Sequence, residues 1–301
     1  MTGVIHNPRR KETQAGRSWS RKSGSCRPRQ REPLAFRLRL VDEQIAYNLV
    51  MAQLMRTSNP ALKGDFFRTQ AGAFGADLMT VSGTVNKTGI LSICVIATAA
   101  WTWNRFLNSP SPEVVLPSIM IGAIGGFVLA LVTIFKKEWS PVTAPAYALL
   151  EGLVLGGVSA MFELRFPGIA MQAVGLTFGT LIALLLAYRS GLIRVTDQFR
   201  LGVVAATGGI ALFYLITFVL GFFGVHFNSV YGSGPIGIGF SVVVVIVAAL
   251  NLVLDFDLIE SGARAGAPKY MEWYGAFALM VTLIWLYLEI IRLLSKLRSR
   301  N

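Results

Sequence analysis

Past the first quarter of the chain, apolar runs alternate with short polar interruptions. Seven runs fall at about 88–107, 115–135, 141–162, 168–188, 201–223, 235–258 and 274–295, each near the roughly 20 residues with which a helix crosses about 30 Å of hydrocarbon. The interruptions carry helix punctuation: Pro110 and Pro112 precede the second run, Pro141 and Pro145 sit in the first turns of the third, and Pro167 and Gly168 precede the fourth. Connections this short leave no room for a second soluble domain. The pattern predicts an all-α membrane protein, with one seven-helix bundle over 88–301. Small residues recur inside the runs, in "GAIGGF" (Gly122 to Phe127), "EGLVLGGVSA" (Glu151 to Ala160) and "AATGG" (Ala205 to Gly209), where close helix approach is their ordinary use.

Composition strengthens this picture. The chain has 301 residues, of which 53% are hydrophobic and 15% charged, with a mean hydropathy of +0.56. A soluble domain carries about 25% charged residues. The net charge of +12 is unevenly placed. Residues 1–54 hold Arg9, Arg10, Lys11, Arg17, Arg21, Lys22, Arg27, Arg29, Arg31, Arg37 and Arg39 against Glu12, Glu32, Asp42 and Glu43. That arm has few apolar residues and no helical period, so it is expected to be disordered. Anionic lipid or nucleic acid would suit such a basic arm, but the body of the chain gives no reason to expect a nucleic-acid partner. It lacks the apolar core of a secretory signal. At "MRTSNPALKGDFF" the character changes, so the functional chain could begin at Met55, with 55–87 as a cytoplasmic lead-in segment.

Cys26 and Cys94 lie in settings too different for a structural disulfide, and His6 and His226 add little for a zinc or haem site. No cofactor is expected. Orientation follows from basic residues in the short loops. Lys136 and Lys137, then Arg189, Arg194 and Arg200, then Arg264 and Lys269 share the side that precedes the first span, while the opposite loops carry only Arg105 and Arg165. The N-terminus is therefore expected in the cytoplasm. The tail "RLLSKLRSRN" disagrees: seven crossings put it outside, yet it holds Arg292, Lys296, Arg298 and Arg300. Either the tail is an exception or the last span is re-entrant.

Two pattern matches carry little chemistry. "GSGPIGIG" has the spacing G-x-G-x-x-G at Gly232, Gly234 and Gly237, but it joins two spans instead of following a strand. "NKT" at Asn86 matches a glycosylation sequon at a cytoplasmic edge. Ionisable residues inside spans say more, because each costs at least about 2.5–3.5 kcal/mol at the bilayer centre. Glu151 lies near the middle of the third span and Glu289 deep in the seventh. Asp255 lies about one turn inside the end of the sixth, four residues after Asn251 and on the same face. Asp257 points elsewhere and is expected at the water boundary. Buried carboxyls either hold a proton or pair, and a coupled pair changes its contacts with pH. Ionised, the same oxygens suit a hard cation such as Ca²⁺.

Seven spans, "VLDFDLIE" closing the sixth, "LYLEIIRLL" in the last, a basic tail, "NPAL" and "MTVSGTVNKTG" (Met79 to Gly89) together resemble the transmembrane Bax inhibitor motif family in its bacterial branch. The resemblance runs from about Met55 to the end. It implies a bundle with the last helix central, a pH-sensitive calcium leak in the bacterial inner membrane, and an acid pair mapped onto Asp255 and Glu289, which would hold Ca²⁺ transiently. Here the two are 34 positions apart, not the family's usual 25 or so. A hairpin turning near Ala267 would set them roughly 15 Å apart in depth at 1.5 Å per residue. Glu151 is closer in depth to Glu289 and is the expected partner, leaving Asn251 and Asp255 as a separate polar site. A pore-free alternative is a regulatory protein that binds a membrane protease. An enzyme is not expected: no H-E-x-x-H occurs and no His and Ser pairing falls within the spans.

Overall fold

Each apolar run is a helix. The computed structural model describes residues 78–108, 111–224 and 228–300; the arm, most of the lead-in, Cys26, His6 and His226 lie outside them. The helices are α1 (Val81–Asn108), α2 (Pro112–Phe135), α3 (Ser140–Arg165), α4 (Ile169–Arg189), α5 (Asp197–Phe222), α6 (Pro235–Arg264) and α7 (Met271–Arg300). A 3₁₀ turn, Lys137–Trp139, precedes α3, and one helical turn, Asn228–Tyr231, precedes α6. All seven are long and apolar enough to cross a bilayer. With Phe135, Met171, Leu201 and Phe222 more than two-thirds exposed, the outer surface suits lipid and not water. The chain is an integral, multi-pass membrane protein.

The sequence explains where the helices begin and end. Pro112 and Pro235 open α2 and α6, and the Thr196 hydroxyl caps α5 by accepting from the Phe199 amide at 3.2 Å. Gly168, at φ 81°, turns α3 into α4, and the Glu163 carboxylate accepts from the amides of Gly168 and Ala170 there. One boundary differs from expectation. The first helix starts at Val81, not near residue 88, because its opening turn is held by buried polar contacts that hydropathy does not register. Asn86 of the sequon therefore lies within α1.

The end of the bundle where α1 begins is termed the near end, and the opposite one the far end. The last helix is central: α7 packs on α1, α3, α4 and α6, and 67% of its most apolar window is buried, against 11% for α5. Small residues bring α1, α2 and α3 together. A Cβ on Gly152 would lie 2.4 Å from the Val95 carbonyl oxygen, one on Gly156 2.4 Å from that of Ala99, and one on Gly122 2.5 Å from that of Leu150. "AATGG" does not follow suit: Gly208 and Gly209 face open space on α5. α7 runs unbroken for 30 residues, so the last span is not re-entrant and residues 78 and 300 lie at opposite ends.

Candidate functional site

On α5, polar residues recur at seven-residue spacing, Arg200, Thr207 and Tyr214, followed by Thr217. A spacing of seven returns to the same helix face, and this stripe, with Val203 and Ile210, is the one α5 turns inward. It meets Asp257 and Asn251 on α6 and Glu289 and Arg292 on α7. The result is a polar seam along the junction of α5, α6 and α7.

From the near end inward, the seam opens on an ion pair, Arg200 Nη2 donating to Asp257 Oδ2 at 2.7 Å. The Tyr188 hydroxyl from α4 donates to Glu260 at 2.6 Å, and Arg264 pairs with Glu260. Asp255 comes next and is fully buried at 0% exposure. One turn deeper, Asn251 is 2% exposed and donates through Nδ2 to Thr207 Oγ1 and the Val247 carbonyl, both at 2.8 Å. Further on, Glu289, also 2% exposed, accepts from Tyr214 at 3.1 Å and from Arg292 Nη1 at 2.8 and 3.0 Å. The far mouth holds the Thr217–Tyr231 hydroxyl pair at 2.7 Å and Lys296, which donates to Val230, Gly237 and Ser241.

These positions test the expected pairings. Ser241 bonds Lys296, and Gly275 lies against Ile259, which fixes the antiparallel register of α6 and α7. That register sets Asp255 level with Leu279 to Thr282 and Glu289 level with Val245 to Ala248. The two acids are thus roughly 10–15 Å apart along the axis and do not bond directly. Nor does Glu289 pair with Glu151. Its carboxylate is occupied by Arg292 and Tyr214, whereas Glu151 packs against Gly126 of α2, beside the Tyr147 hydroxyl on its own helix. Depth alone had favoured that pairing; the rotation of α3, set by its glycine contacts with α1 and α2, turns Glu151 elsewhere. Asp257 is not a bare boundary residue either, since Arg200 reaches it from α5.

A second buried cluster involves residues that span hydropathy does not single out. Glu272, in the first turn of α7, is fully buried and accepts from the Thr80 amide and hydroxyl at 2.8 Å each. Lys87 of α1 pairs with it while lying over the Trp273 ring, and Lys269 is 3.4 Å away. The Met79 amide donates to the Ala267 carbonyl at 2.7 Å, so this end of the lead-in is fastened across the α6–α7 turn. In that turn, burial and the Glu138 charge push the Tyr270 hydroxyl above its ordinary range. Among the described residues no group of three or more His, Cys, Asp or Glu is placed to hold a metal ion.

In chemical terms the seam offers carboxylate, amide, hydroxyl and carbonyl oxygens in series, each end closed by a cationic side chain. Such a series can hand a proton or a small cation from one site to the next. A family model described as Bax inhibitor 1 like matches residues 43–299, most of the chain. No curated protein and no solved structure matches it. The chain belongs to the Bax inhibitor 1 like family.

Proposed function

From that membership and the polar seam, we propose that the protein is a pH-sensitive cation leak, carrying Ca²⁺ along the α5–α6–α7 junction, in a bacterial inner membrane with its near end in the cytoplasm. One observation carries this reading: a fully buried aspartate on the same face as a buried amide, in line with a second buried acid, between two cation-closed mouths. Acids in an apolar bundle are costly to bury, so Asp255 and Glu289 mark a path or a switch in preference to packing. The near end carries Lys136, Lys137, Arg189, Arg194, Arg200, Arg264 and Lys269, which supports the orientation. Protonation of Asp255 would remove an anionic oxygen from the middle of the route, and of Glu289 would release Arg292. No catalytic step and no cofactor is part of this reading.

The test is Ca²⁺ entry into proteoliposomes holding the purified protein, across a pH series. The expected result is a leak whose rate depends on pH, with the dependence flattened in Asp255→Asn and shifted in Glu289→Gln. Absence of flux at every pH would sink the reading. If a membrane protease then co-purified with the flux-silent protein, the pore-free regulatory alternative would take its place.

A further inference from the structure

Lys296 sits where a lysine has little reason to be. Its side chain is 6% exposed, so it does not reach water, and among the described residues no carboxylate lies within ion-pair distance of it. The acid on the same helix face, Glu289, is two turns back and engaged by Arg292 and Tyr214. Instead the ammonium donates to three neutral oxygens: the carbonyls of Val230 at 2.8 Å and Gly237 at 3.0 Å, and the Ser241 hydroxyl at 2.9 Å. The backbone is shaped closely around that point. A Cβ on Gly237 would lie 2.1 Å from the Gly232 oxygen and 2.9 Å from the Val230 oxygen, so any side chain there would push the cradle apart.

Carbonyl and hydroxyl oxygens converging on one compact charge are how membrane proteins replace the hydration shell of a monovalent cation. A divalent ion would require more oxygens and anionic ones. We propose that Val230, Gly237 and Ser241 form a monovalent-cation site at the far mouth, that the Lys296 ammonium is its tethered resident, and that removing the ammonium opens the site to free potassium or ammonium. The consequence for closure of the far mouth rests on the cation route proposed above. The existence of the site does not.

Thermal unfolding of full-length Lys296→Ala in detergent, in ammonium chloride or tetramethylammonium chloride at equal ionic strength, tests the site. Ammonium is expected to raise the midpoint by a few degrees, rising with the logarithm of its concentration, as mass action requires of a ligand bound to the folded state. The native protein should show no such preference, and adding Ser241→Ala should diminish it. Equal effects of the two salts on Lys296→Ala would overturn the proposal. Should Lys296→Ala fold only when ammonium is present during extraction, the proposal is upheld; failure to recover it even with ammonium present overturns it. Potassium flux in vesicles separates the two levels: an ammonium-specific shift without faster potassium leak than native leaves the site and removes the route.

Discussion

Glu272 shows how a buried charge escapes hydropathy. Near a span boundary it looks like an ordinary first-turn acid, favourable at a helix N-terminus, yet it is fully buried and ties α7 to Lys87 and Thr80 of the lead-in. Replacing it with Gln would keep the shape but lose the charge-assisted bonds, at about 2 kcal/mol, so a thermal midpoint several degrees lower is expected. Asp257 and Arg200 are the complementary case. Each looked like a terminal residue, and only the α5–α6 packing brings them to 2.7 Å. Arg200→Gln and Asp257→Asn should therefore be non-additive, with a coupling of about 1 kcal/mol in a double-mutant cycle read by thermal unfolding; simple additivity would show the pair to be idle. By contrast Asp255, Asn251 and Glu289 were legible as buried polar groups from sequence, because an acid or amide in the body of an apolar helix cannot be excused by a boundary. Their partners from α5 were not, since Tyr214 and Thr207 are brought in by rotations and registers that one helix's sequence does not encode, whereas Arg292 lies three residues after Glu289 on the same helix.

Among the helices, number and central packing followed from span length and family resemblance, whereas the role of small residues split in two. Gly122 of α2 and Gly152 and Gly156 of α3 face backbone at distances no side chain tolerates, while Gly209 on α5 meets nothing within 4 Å. Both stretches look alike in sequence, as packing depends on which face the neighbour occupies. Gly156→Ala would drive its methyl against the Ala99 carbonyl and is expected to destabilise by about 1–3 kcal/mol or to abolish folded protein. Gly209→Ala, on the lipid side, should be neutral or slightly stabilising because it lowers the helix cost of glycine. Comparing the folded yield and unfolding midpoints of the two checks the assignment, and equal losses would refute it. The α5 stripe at 200, 207 and 214 was also present in the sequence, as three polar positions seven apart, but two of them are a threonine and a tyrosine that apolar scales barely penalise.

At the scale of the whole molecule, the basic tail is the feature that charge counting and helix counting read differently. The structure reconciles them by giving three of the tail's four charges partners within the protein: Arg292 bonds Glu289 and Tyr214, Lys296 enters its oxygen cradle, and Arg298 donates to the Pro167 carbonyl at 2.6 Å and to Gln172 at 2.9 Å. A basic residue so satisfied need not follow the loop bias that orients a nascent chain, which is set chiefly by charges in the other short loops. Seven unbroken spans then require Ala265, in the α6–α7 turn, and Ser299, near the end of α7, to lie across the membrane from each other. In a background with Cys26 and Cys94 changed to Ser, Ala265→Cys should react with an impermeant maleimide only in inside-out vesicles, if the near end is cytoplasmic, and Ser299→Cys only in right-side-out ones. Labelling of both from one side would mean that α7 returns, and it would break the seam as well, because a returning α7 could not carry Glu289 and Lys296 past Tyr214 and Ser241 in the register that places them there.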